Sequence, residues 1–384
     1  MSEPQGRRIL IDGTMARNGG GFTTLVNLLP PLAALAPGHR FRVLLRSRAL
    51  RDSLPARENL EIELLPEAGL PARLCFTHLE APRRARAFGA ELYFAAGEFV
   101  PLWAPCPTIA SFRNPNVFTS LDQGWYLYQI FRLGALRRLS GLVARTCARV
   151  VFVSRDSARW IGDAVALPEH KRAVIHHGID AERFSRAPRH RVHPRPYVLS
   201  VSSIYRYKNF VRLIEAWAGL AARREGLPDL VIVGDDMDPD YSRQMEAARR
   251  ATGPLAERIH FVGEVPYAEI PAWYAGAELF AFPSYLETFG HPLLEAMASG
   301  VPVVCADIPV SREIAGEAAL YADPLDVASL ARGLETGLFA QDVREALVER
   351  GRKRVEAFRW ADSARRHLEL FGQVIAERAG ERPD

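Results

Sequence analysis

Short apolar runs alternate with longer helical patterns along this chain. In the first half, the runs are rich in β-branched and aromatic residues and predict five strands, at residues 8–12, 41–45, 92–95, 108–111 and 150–154. The second half repeats the scheme, with predicted strands at residues 197–202, 230–233, 260–262, 279–282, 303–306 and 319–321. Strands that alternate with helices are typical of parallel sheets covered by helices. The pattern therefore predicts two α/β layers in succession.

The segment between the two sets of strands has a different composition. Residues 185–196 (SRAPRHRVHPRP) are rich in proline and arginine, which predicts a linker. We therefore expect a Rossmann-like domain at residues 1–184, the linker, a second Rossmann-like domain at 197–361, and a C-terminal helix with a tail at 362–384. Two doubly wound domains joined in this way are expected to face each other across a cleft, with ligands beyond the carboxyl ends of the strands.

The bulk composition is that of a globular protein with two domains. The chain has 384 residues, of which 48% are hydrophobic and 24% are charged. No stretch contains the roughly 18 uncharged apolar residues that a membrane span needs, and the first twenty residues lack the apolar core of a signal peptide. The four cysteines are far apart and include no CxxC pair, so we expect reduced thiols and no zinc site. These features predict a cytoplasmic protein.

The net charge of +4 hides two halves of opposite sign. Residues 1–195 contain 28 Lys/Arg and 16 Asp/Glu, a net charge of +12, and the remainder contains 21 and 29, a net charge of −8. Two interpretations stay open. One is an ordinary solvated surface with attraction between the domains, and the other is a basic first half that faces anionic lipid or a phosphorylated acceptor. Nucleic acid is not an expected partner.

The segment PSYLETFGHPLLEAMASGVPVVCAD (residues 283–307) carries the clearest site pattern. A predicted strand ends before it, a loop with Glu287 and Gly290 follows, and a helix is predicted to begin near the next proline, with Glu295 in its first turn. The backbone amides of Gly290, His291 and Leu293 are expected to point out of the helix start, which carries partial positive charge and binds anions. Two carboxylates thus flank a predicted phosphate-binding helix end.

This segment resembles the E-x7-E signature of glycosyltransferase family 4, whose members are retaining enzymes with the GT-B fold. The similarity is continuous over residues 197–335 and weaker over the first domain. The resemblance implies that Glu295 binds the ribose hydroxyls of a nucleotide donor. It implies that Glu287 contacts the donor sugar and stabilises positive charge at its anomeric carbon. It also assigns sugar hydroxyls or the diphosphate to three backbone amides, those of Phe289, Gly290 and His291.

A second site is predicted in VLSVSSIYRYKNFVRLIEAW (residues 198–217). A strand ends near Ser202, and a helix begins near Asn209, a residue that is favoured as an N-cap. Lys208 is then a cation at the positive end of a helix, which is unfavourable unless both bind one anion. The family resemblance assigns Lys208 to the donor diphosphate. Relatives often carry an arginine where this chain has Ser202, and Arg206 is the candidate substitute.

The first domain carries weaker signals. Gly20 and Gly21 belong to a glycine cluster between the first strand and a helix expected from about Phe22, and glycine allows backbone to approach a ligand closely. The resemblance implies that this pair meets the donor phosphates when the cleft closes. Arg113 and Asn114 follow another strand, at a position where related enzymes often carry a histidine that contacts the donor sugar. Arg113 or Asn114 is the candidate for this contact.

Residues 260–280 resemble the base-binding loop of the same family. The resemblance implies that the backbone near Gly263 and Val265 contacts the nucleobase. Tyr274 belongs to the helix beneath this loop and is predicted as a core residue.

An acidic turn raises the question of a metal ion. GDDMDPD (residues 234–240) places Asp236, Asp238 and Asp240 in the D-x-D form that binds a metal in the other large glycosyltransferase fold. Acid-rich turns after a strand are common, and we interpret this one as structural. Neither a metal nor another cofactor is expected, because a lysine and a helix start can stabilise the charge of a leaving diphosphate.

With the resemblance, these residues predict a retaining, metal-independent hexosyltransferase in polysaccharide biosynthesis. It would move a sugar from a nucleotide-diphosphate donor, by association GDP-mannose or a related GDP-sugar, to a saccharide or lipid-linked acceptor. Three alternatives stay open: an epimerase or phosphorylase of the same two-domain form, a non-catalytic nucleotide-sugar-binding protein, and a dinucleotide oxidoreductase. The last is disfavoured because GxGxxG is absent after the first strand of either domain.

Residues 125–150 raise the possibility that the protein associates peripherally with the inner face of a membrane. The segment contains no acid and mixes aromatic residues with arginines: Trp125, Tyr126, Tyr128, Phe131, Arg132, Arg137, Arg138, Arg145 and Arg149. One interpretation is a helix that packs on the sheet and exposes its arginines to water. The other is a surface that docks on anionic lipid and presents the site to a lipid-linked saccharide.

Overall fold

The computed structural model describes residues 6–16, 19–118, 127–188 and 192–380. The chain divides into two compact units. Unit 1 comprises Met1–Gly178 together with Arg359–Asp384, and unit 2 comprises Ile179–Phe358. This division differs from the predicted one in two ways. The chain passes from unit 1 to unit 2 after Gly178, before the predicted linker. The C-terminal helix belongs to unit 1 instead of following the second domain.

Unit 1 is built on a seven-stranded parallel sheet. In chain order its strands are β1 (Arg8–Asp12), β2 (Arg40–Leu45), β3 (Leu60–Leu64), β4 (Leu92–Ala95), β5 (Thr108–Phe112), β6 (Arg149–Phe152) and β7 (Arg172–Val174). They lie in the order β3-β2-β1-β4-β5-β6-β7, and each neighbouring pair is parallel. The five strands that the sequence predicts are the five interior ones.

The two strands that the apolar pattern missed, β3 and β7, are the edges of this sheet. β3 reads LEIEL, with glutamate at alternate positions, and β7 consists of three partly buried residues. An edge strand is paired on one side only and is less covered, so it needs no continuous apolar run. β4 lies inside the sheet and is buried at every position, as is usual for central parallel strands.

Unit 2 contains a six-stranded parallel sheet. Its strands are β8 (Tyr197–Val201), β9 (Asp229–Val233), β10 (Ile259–Gly263), β11 (Leu279–Phe282), β12 (Val303–Ala306) and β13 (Leu320–Ala322). They lie in the order β10-β9-β8-β11-β12-β13. The six predicted strands of the second half are confirmed, with small differences at their ends.

Helices connect the strands of both sheets. Unit 1 contains α1 (Gly19–Leu35), α2 (Arg48–Asp52), α3 (Leu70–Cys75), α4 (Ala81–Phe88), α5 (Leu127–Thr146) and α6 (Arg155–Ala164). Unit 2 contains α7 (Ala181–Ser185), α8 (Phe210–Ala221), α9 (Pro239–Ala251), α10 (Ile270–Ala275), α11 (His291–Ala298), α12 (Pro309–Ala315), α13 (Val327–Phe339) and α14 (Gln341–Val355). The chain then returns to unit 1 with α15 (Trp360–Ala379).

The last helix, α15, is part of the core of unit 1. Trp360, Phe371 and Val374 are buried in one cluster with Leu25 of α1 and Phe94 of β4. The ring centroids of Phe94 and Phe371 are 5.2 Å apart. Burial of large apolar side chains is the main source of stability for such a helix. The predicted C-terminal helix therefore completes the first domain.

The segment predicted as a linker lies within unit 2, and residues 189–191 of it lie outside the described residues. His193 Nε2 is 3.3 Å from Asp229 Oδ2, His260 Nε2 is also 3.3 Å from that oxygen, and Arg258 Nε is 3.0 Å from Oδ1. Burial raises the pKa of Asp229, but hydrogen bonds from Arg258, His193 and His260 outweigh burial, so the pKa is lowered. His193, which belongs to the segment predicted as a linker, therefore contacts a buried carboxylate at the start of β9.

Each sheet has one point at which the strand order reverses. This switch point lies between β1 and β4 in unit 1, and between β8 and β11 in unit 2. Loops that leave the two strands at a switch point run to opposite faces of the sheet, and doubly wound proteins bind ligands in the crevice between those loops. The residues that follow these four strands are therefore the first candidates for a site.

Candidate functional site

Two predicted residues meet at the switch point of unit 2. Lys208 ends a short 3₁₀ turn after β8 (Arg206–Lys208), and Glu287 lies in the loop after β11. Lys208 Nζ is 2.6 Å from Glu287 Oε1, and the two side chains are only 12% and 10% exposed. The backbone N–H of Tyr285 donates to the carbonyl of Tyr207 (3.1 Å), which joins the two loops. Residues 79 positions apart thus form one largely buried ion pair.

Asn209 fixes the loop that carries Lys208. It is buried and has a φ of 63°, in the left-handed region that asparagine tolerates. Its side-chain amide donates to the carbonyls of Pro283 (3.1 Å) and Pro324 (2.6 Å). Asn209 occupies the N-cap position of α8 as predicted, but its side chain makes no capping hydrogen bond and instead holds together the loops that follow β8, β11 and β13.

Helix α11 begins shortly after Glu287. Gly290 precedes it with a φ of 90°, a conformation that favours glycine, and Pro292 lies in its first turn as predicted. The N–H of Leu293 donates to the carbonyl of Gly290 (3.0 Å), so the predicted outward-pointing amides do not include that of Leu293. The N–H groups of Gly290 and His291 lie at the helix start, where the helix dipole favours an anion. Phe289, next to them, is buried.

Glu295 lies in the second turn of α11, one turn further along than predicted, and is 6% exposed. The hydroxyl of Tyr274 donates to its Oε2 at 2.9 Å. Burial raises the pKa of Glu295 to about 7, although the Tyr274 hydrogen bond and the charge of Arg183 act in the opposite direction. Hydrogen bonds donated by a ligand stabilise the charged form of such a carboxyl group. The Tyr274 hydroxyl thus holds the buried Glu295 carboxyl group in place, and contact of Glu295 with ribose hydroxyls stays a prediction.

The sequence predicts Tyr274 as a core residue, and it is fully buried in α10. What sequence reasoning missed is its hydrogen bond to Glu295. The available signal was the hydroxyl itself, since a buried tyrosine hydroxyl usually has a partner. The sequence does not show which of the carboxylates in unit 2 that partner is.

The other predicted residues of unit 2 lie at the same end of the sheet. Arg206 shares the 3₁₀ turn of Lys208, and its guanidinium carbon is 5.9 Å from the centre of the Tyr241 ring. Gly263 ends β10 with a φ of 82°, and Val265 follows it, partly buried. β10 is an edge strand separated from β8 by β9. Contact of Gly263 and Val265 with a nucleobase stays a prediction.

Gly20 and Gly21 lie in the first turn of α1, after β1 in unit 1. The helix begins at Gly19 and not near Phe22 as predicted. A Cβ added at Gly21 would be 3.2 Å from Ala16 Cα, whereas one added at Gly20 would have no atom within 4 Å. Packing within unit 1 therefore explains the glycine at 21, and the predicted contact of this pair with phosphates stays a prediction.

Arg113 and Asn114 follow β5, and both side chains make contacts within unit 1. The Arg113 guanidinium donates to Thr24 Oγ1 (2.7 Å) and to the carbonyl of Ala96, and burial lowers its pKa to about 10. Asn114 Oδ1 accepts the N–H of Asn116 (3.1 Å) at the start of a 3₁₀ turn. These contacts hold the loop after β5, and the predicted contact with a donor sugar stays a prediction.

The carboxylates of the acidic turn contribute to the start of a helix. Asp238 Oδ1 accepts the N–H of Tyr241 (3.1 Å) and caps α9, and Asp236 Oδ1 accepts the N–H of Asp238 (3.2 Å). Asp240 pairs with Arg243 on the same helix. Each of these three carboxylates therefore has a contact within the protein, which supports the structural interpretation of the turn.

Two doubly wound units of this kind form the GT-B fold. The Anabaena protein HepE, solved in complex with UDP and glucose, matches with a TM-score of 0.74 at 19% identity, over 96% of this chain and 100% of that chain. The family described as Glycosyltransferase Family 4 matches residues 18–183, and the family described as Glycosyl transferases group 1 matches residues 182–354. The chain belongs to glycosyltransferase family 4.

Curated relatives are similar over parts of the chain. The O-antigen chain mannosyltransferase B of Escherichia coli is 36% identical over 113 residues, which are 29% of this chain. The O-antigen chain mannosyltransferase RfbU of Salmonella typhimurium is 28% identical over 223 residues, which are 57% of this chain. The matched segments span 30% and 59% of the lengths of these two relatives.

Proposed function

We propose that this protein is a glycosyltransferase that moves a sugar from a nucleotide-diphosphate donor to a saccharide or lipid-linked acceptor in polysaccharide biosynthesis. The observation that carries the proposal is the Lys208–Glu287 pair at the switch point of unit 2, followed on the same segment by the start of α11 and the buried Glu295. Membership of family 4 and the two mannosyltransferase relatives support it.

The reaction requires the stabilisation of two opposite charges. When the bond between the anomeric carbon and the diphosphate oxygen breaks, its electron pair leaves with the diphosphate and positive charge develops on the sugar. The Lys208 ammonium and the start of α11 favour the anion, and a carboxylate near the sugar favours the cation. Glu287 Oε1 is 2.6 Å from Lys208 Nζ, so both kinds of group are available within one small site.

The ion pair also explains how two buried charges are tolerated when no donor is bound. Lys208 and Glu287 are both largely buried, and each balances the charge of the other. A diphosphate that binds at the start of α11 adds a second anion for the Lys208 ammonium. We expect the acceptor oxygen to attack the face that the diphosphate leaves, which retains the anomeric configuration.

Nucleotide sugars are expected to stabilise the full-length protein against thermal unfolding and to be slowly hydrolysed by it. The names of the relatives favour transfer of mannose, so GDP-mannose, the donor predicted from the sequence, is tested first. The HepE complexes make UDP-glucose the natural second compound. Because Lys208 and a helix start stabilise the diphosphate in this proposal, both effects should persist in EDTA. Thermal shift and product analysis by chromatography across a panel of nucleotide sugars provide the measurement.

The epimerase, the binding protein and the oxidoreductase each have their own outcome in this experiment. Conversion of the donor into an isomeric nucleotide sugar would indicate an epimerase, and stabilisation without turnover would indicate a binding protein. Stabilisation by NAD and not by nucleotide sugars would indicate an oxidoreductase. Activity that is lost in EDTA and restored by Mn²⁺ would contradict the metal-independent chemistry.

We also propose that α5 docks unit 1 on an anionic membrane surface. Phe131 and Leu142 are 75% and 43% exposed, and Arg138 and Arg145 are exposed as well. At spacings of seven, four and three residues, these four side chains lie on one face of the helix. Apolar side chains among arginines on one exposed face are typical of helices that lie in a membrane interface.

Other parts of the same segment do not contribute to this face. Arg149 belongs to β6 and pairs with Glu377 of α15. Arg137 is partly buried. Trp125, Tyr126 and the side chain of Tyr128 lie outside the described residues. Within the described ranges, no helix has the length and apolar character needed to cross a membrane.

The protein is therefore expected to sediment with vesicles of phosphatidylcholine mixed with phosphatidylglycerol at low salt, and not with phosphatidylcholine alone. Each basic residue near such a surface contributes about 1 kcal/mol, and binding should weaken as the Debye length falls from about 10 Å at 0.1 M salt to about 3 Å at 1 M. The double variant Arg138→Glu, Arg145→Glu should lose most of the binding.

The matched control is Arg83→Glu, Arg86→Glu, which makes the same charge change at exposed positions of α4 in the same unit. Equal loss of binding in both double variants would show a diffuse charge effect and would contradict a role for α5. Absence of wild-type binding to the anionic vesicles would contradict membrane docking altogether and favour a soluble acceptor.

A further inference from the structure

The two sheets have the same strand order, which makes their switch points comparable. If the strands of each unit are numbered from the first, both sheets read 3-2-1-4-5-6, with β7 added at the end in unit 1. β4 therefore corresponds to β11 as the fourth strand beside the switch point. Glu287 lies in the loop after β11, and Glu98 lies in the loop after β4, three residues beyond Ala95. Each unit thus has one glutamate at the same place in its topology.

Contacts between loops place Glu98 at the carboxyl edge of the sheet of unit 1. The carbonyl of Gly97 accepts the N–H of Ser111 (3.0 Å) in β5. On the other side, a Cβ added at Gly97 would be 3.6 Å from Met15 Cβ, in the loop after β1. The loop that carries Glu98 therefore lies between the loops after β1 and β5, at the crevice where doubly wound sheets bind ligands.

Glu98 differs from Glu287 in what holds its carboxyl group. Oε1 of Glu98 accepts the N–H of Asn114 at 2.9 Å, and the side chain is partly exposed. Burial raises the pKa of Glu98 to about 7, whereas the backbone N–H groups of Asn114 and Arg113 and the Arg113 charge act in the opposite direction. Glu287 has the Lys208 ammonium at 2.6 Å, and the described contact of Glu98 is a backbone amide.

This difference indicates what kind of ligand each switch point accepts. A site with a lysine and a helix start favours a diphosphate. Glu98 instead accepts a backbone N–H and repels an anion, and the guanidinium of the nearby Arg113 donates to Thr24 and to the carbonyl of Ala96. The hydroxyl groups of a neutral saccharide donate hydrogen bonds to a carboxylate, and charge assistance makes such bonds strong. Burial disfavours the charged form of Glu98, and a hydrogen bond donated by a ligand hydroxyl group stabilises that form.

We propose that Glu98, at the switch point of unit 1, binds a neutral saccharide by accepting a hydrogen bond from a hydroxyl group of the acceptor. The proposal rests on the proposed glycosyltransferase function and names the residue of this chain that selects the second substrate. It assigns Glu98 to the acceptor and not to the nucleotide donor.

Glu98→Gln tests this assignment because the amide oxygen can still accept the N–H of Asn114 while the negative charge is removed. The probes are the methyl glycosides of α-mannose, α-glucose and α-galactose, measured by ligand-observed NMR on the full chain at about pH 8. Wild type is expected to bind at least one of them, and Glu98→Gln is expected to bind it about tenfold more weakly or worse. The affinity for GDP-mannose or UDP-glucose should be unchanged.

Glu58→Gln is the matched control, since Glu58 is an exposed carboxylate of the same unit; it should bind like wild type. Glu98→Asp, which keeps the charge on a shorter side chain, should lose less affinity than Glu98→Gln and provides a second variant if Glu98→Gln unfolds. Equal glycoside binding by wild type and Glu98→Gln, or an equal loss of donor affinity, would overturn the assignment. So would a wild-type protein that binds none of the three glycosides. A wild type that binds no nucleotide sugar would instead overturn the proposed function.

Discussion

Replacing Lys208 with methionine is expected to lower kcat for sugar transfer by about 10²–10³-fold, the usual effect of removing one preorganised group that stabilises transition-state charge. Lys208 Nζ lies 2.6 Å from Glu287 Oε1 beside the start of α11, and it is the cation that the proposed mechanism places against the leaving diphosphate. Glu287→Gln is expected to have a similar effect, because the developing cation on the sugar then lacks its carboxylate. Single-turnover kinetics with a saturating donor provide the measurement.

The two single variants are also expected to be less stable, which must be separated from catalysis. Each leaves one largely buried charge without its partner, which typically destabilises a fold by about 3–5 kcal/mol. The double variant Lys208→Met, Glu287→Gln removes both charges and should recover most of the free energy of unfolding in urea without recovering activity. Lys353→Ala, at an exposed lysine of α14, serves as the control for loss of a positive charge.

Activity in the double variant close to that of wild type would contradict the catalytic roles and leave only a structural ion pair. Full stability of the single variants would indicate that water reaches the pair, in which case the kinetic loss alone would measure the catalytic role.

The second large effect is expected at Glu295 and depends on pH. The resemblance to family 4 assigns this carboxylate to the ribose hydroxyls, and burial has raised its pKa to about 7. Because only the ionised form accepts two hydrogen bonds from a diol, donor affinity should fall about tenfold from pH 8 to pH 6. Glu295→Gln should weaken donor binding by about 1–3 kcal/mol at pH 8 and abolish most of the pH dependence. Calorimetry at both pH values provides the measurement.

The same raised pKa predicts the opposite effect of Glu295→Gln on stability. The folded protein binds this proton more tightly than the unfolded chain does, so the contribution to stability is fully present below about pH 4.5 and is lost as the pH rises through about 7. Between these limits the loss amounts to about 3 kcal/mol. Without a donor, Glu295→Gln should therefore gain stability relative to wild type as the pH rises.

Glutamine suits this experiment better than alanine, because it leaves an acceptor for the Tyr274 hydroxyl and fills the same space. Glu257→Gln, at an exposed position of unit 2, is the control. A stability difference between wild type and Glu295→Gln that does not change with pH would show that Glu295 is not the buried acid described above. A pH-independent donor affinity would contradict its role at the ribose.

Local pattern was sufficient to predict the strands that a parallel sheet buries. β4 and β11 are buried at every residue and were predicted with their observed bounds. β3, with two glutamates in five residues, and the three-residue β7 were not, because an edge strand needs no continuous apolar run. The E-x7-E segment likewise allowed the loop, Gly290 and the helix start to be predicted in the right order, since turn and capping preferences act over a few residues.

Which distant residues come together was decided by the tertiary structure alone. Lys208 and Glu287 could each be assigned to a strand end, but their 2.6 Å contact exists because β8 and β11 are neighbours in the sheet. The pairing of Tyr274 with Glu295 depends on the packing of two helices, and that packing raises the pKa of the carboxyl group. Neither distance nor burial can be obtained from sequence spacing.

At the boundary between the two units, the sequence and the tertiary structure again determine different things. The sequence determined that a helix follows the second set of strands and that residues 185–196 are rich in proline and basic residues. The structure decided that α15 packs in the core of unit 1 and that His193 contacts Asp229 in unit 2. Hydrophobic and hydrogen-bonding tendencies belong to each residue and can be read locally. The surface that satisfies them is supplied by residues far along the chain, and only the folded structure brings the two together.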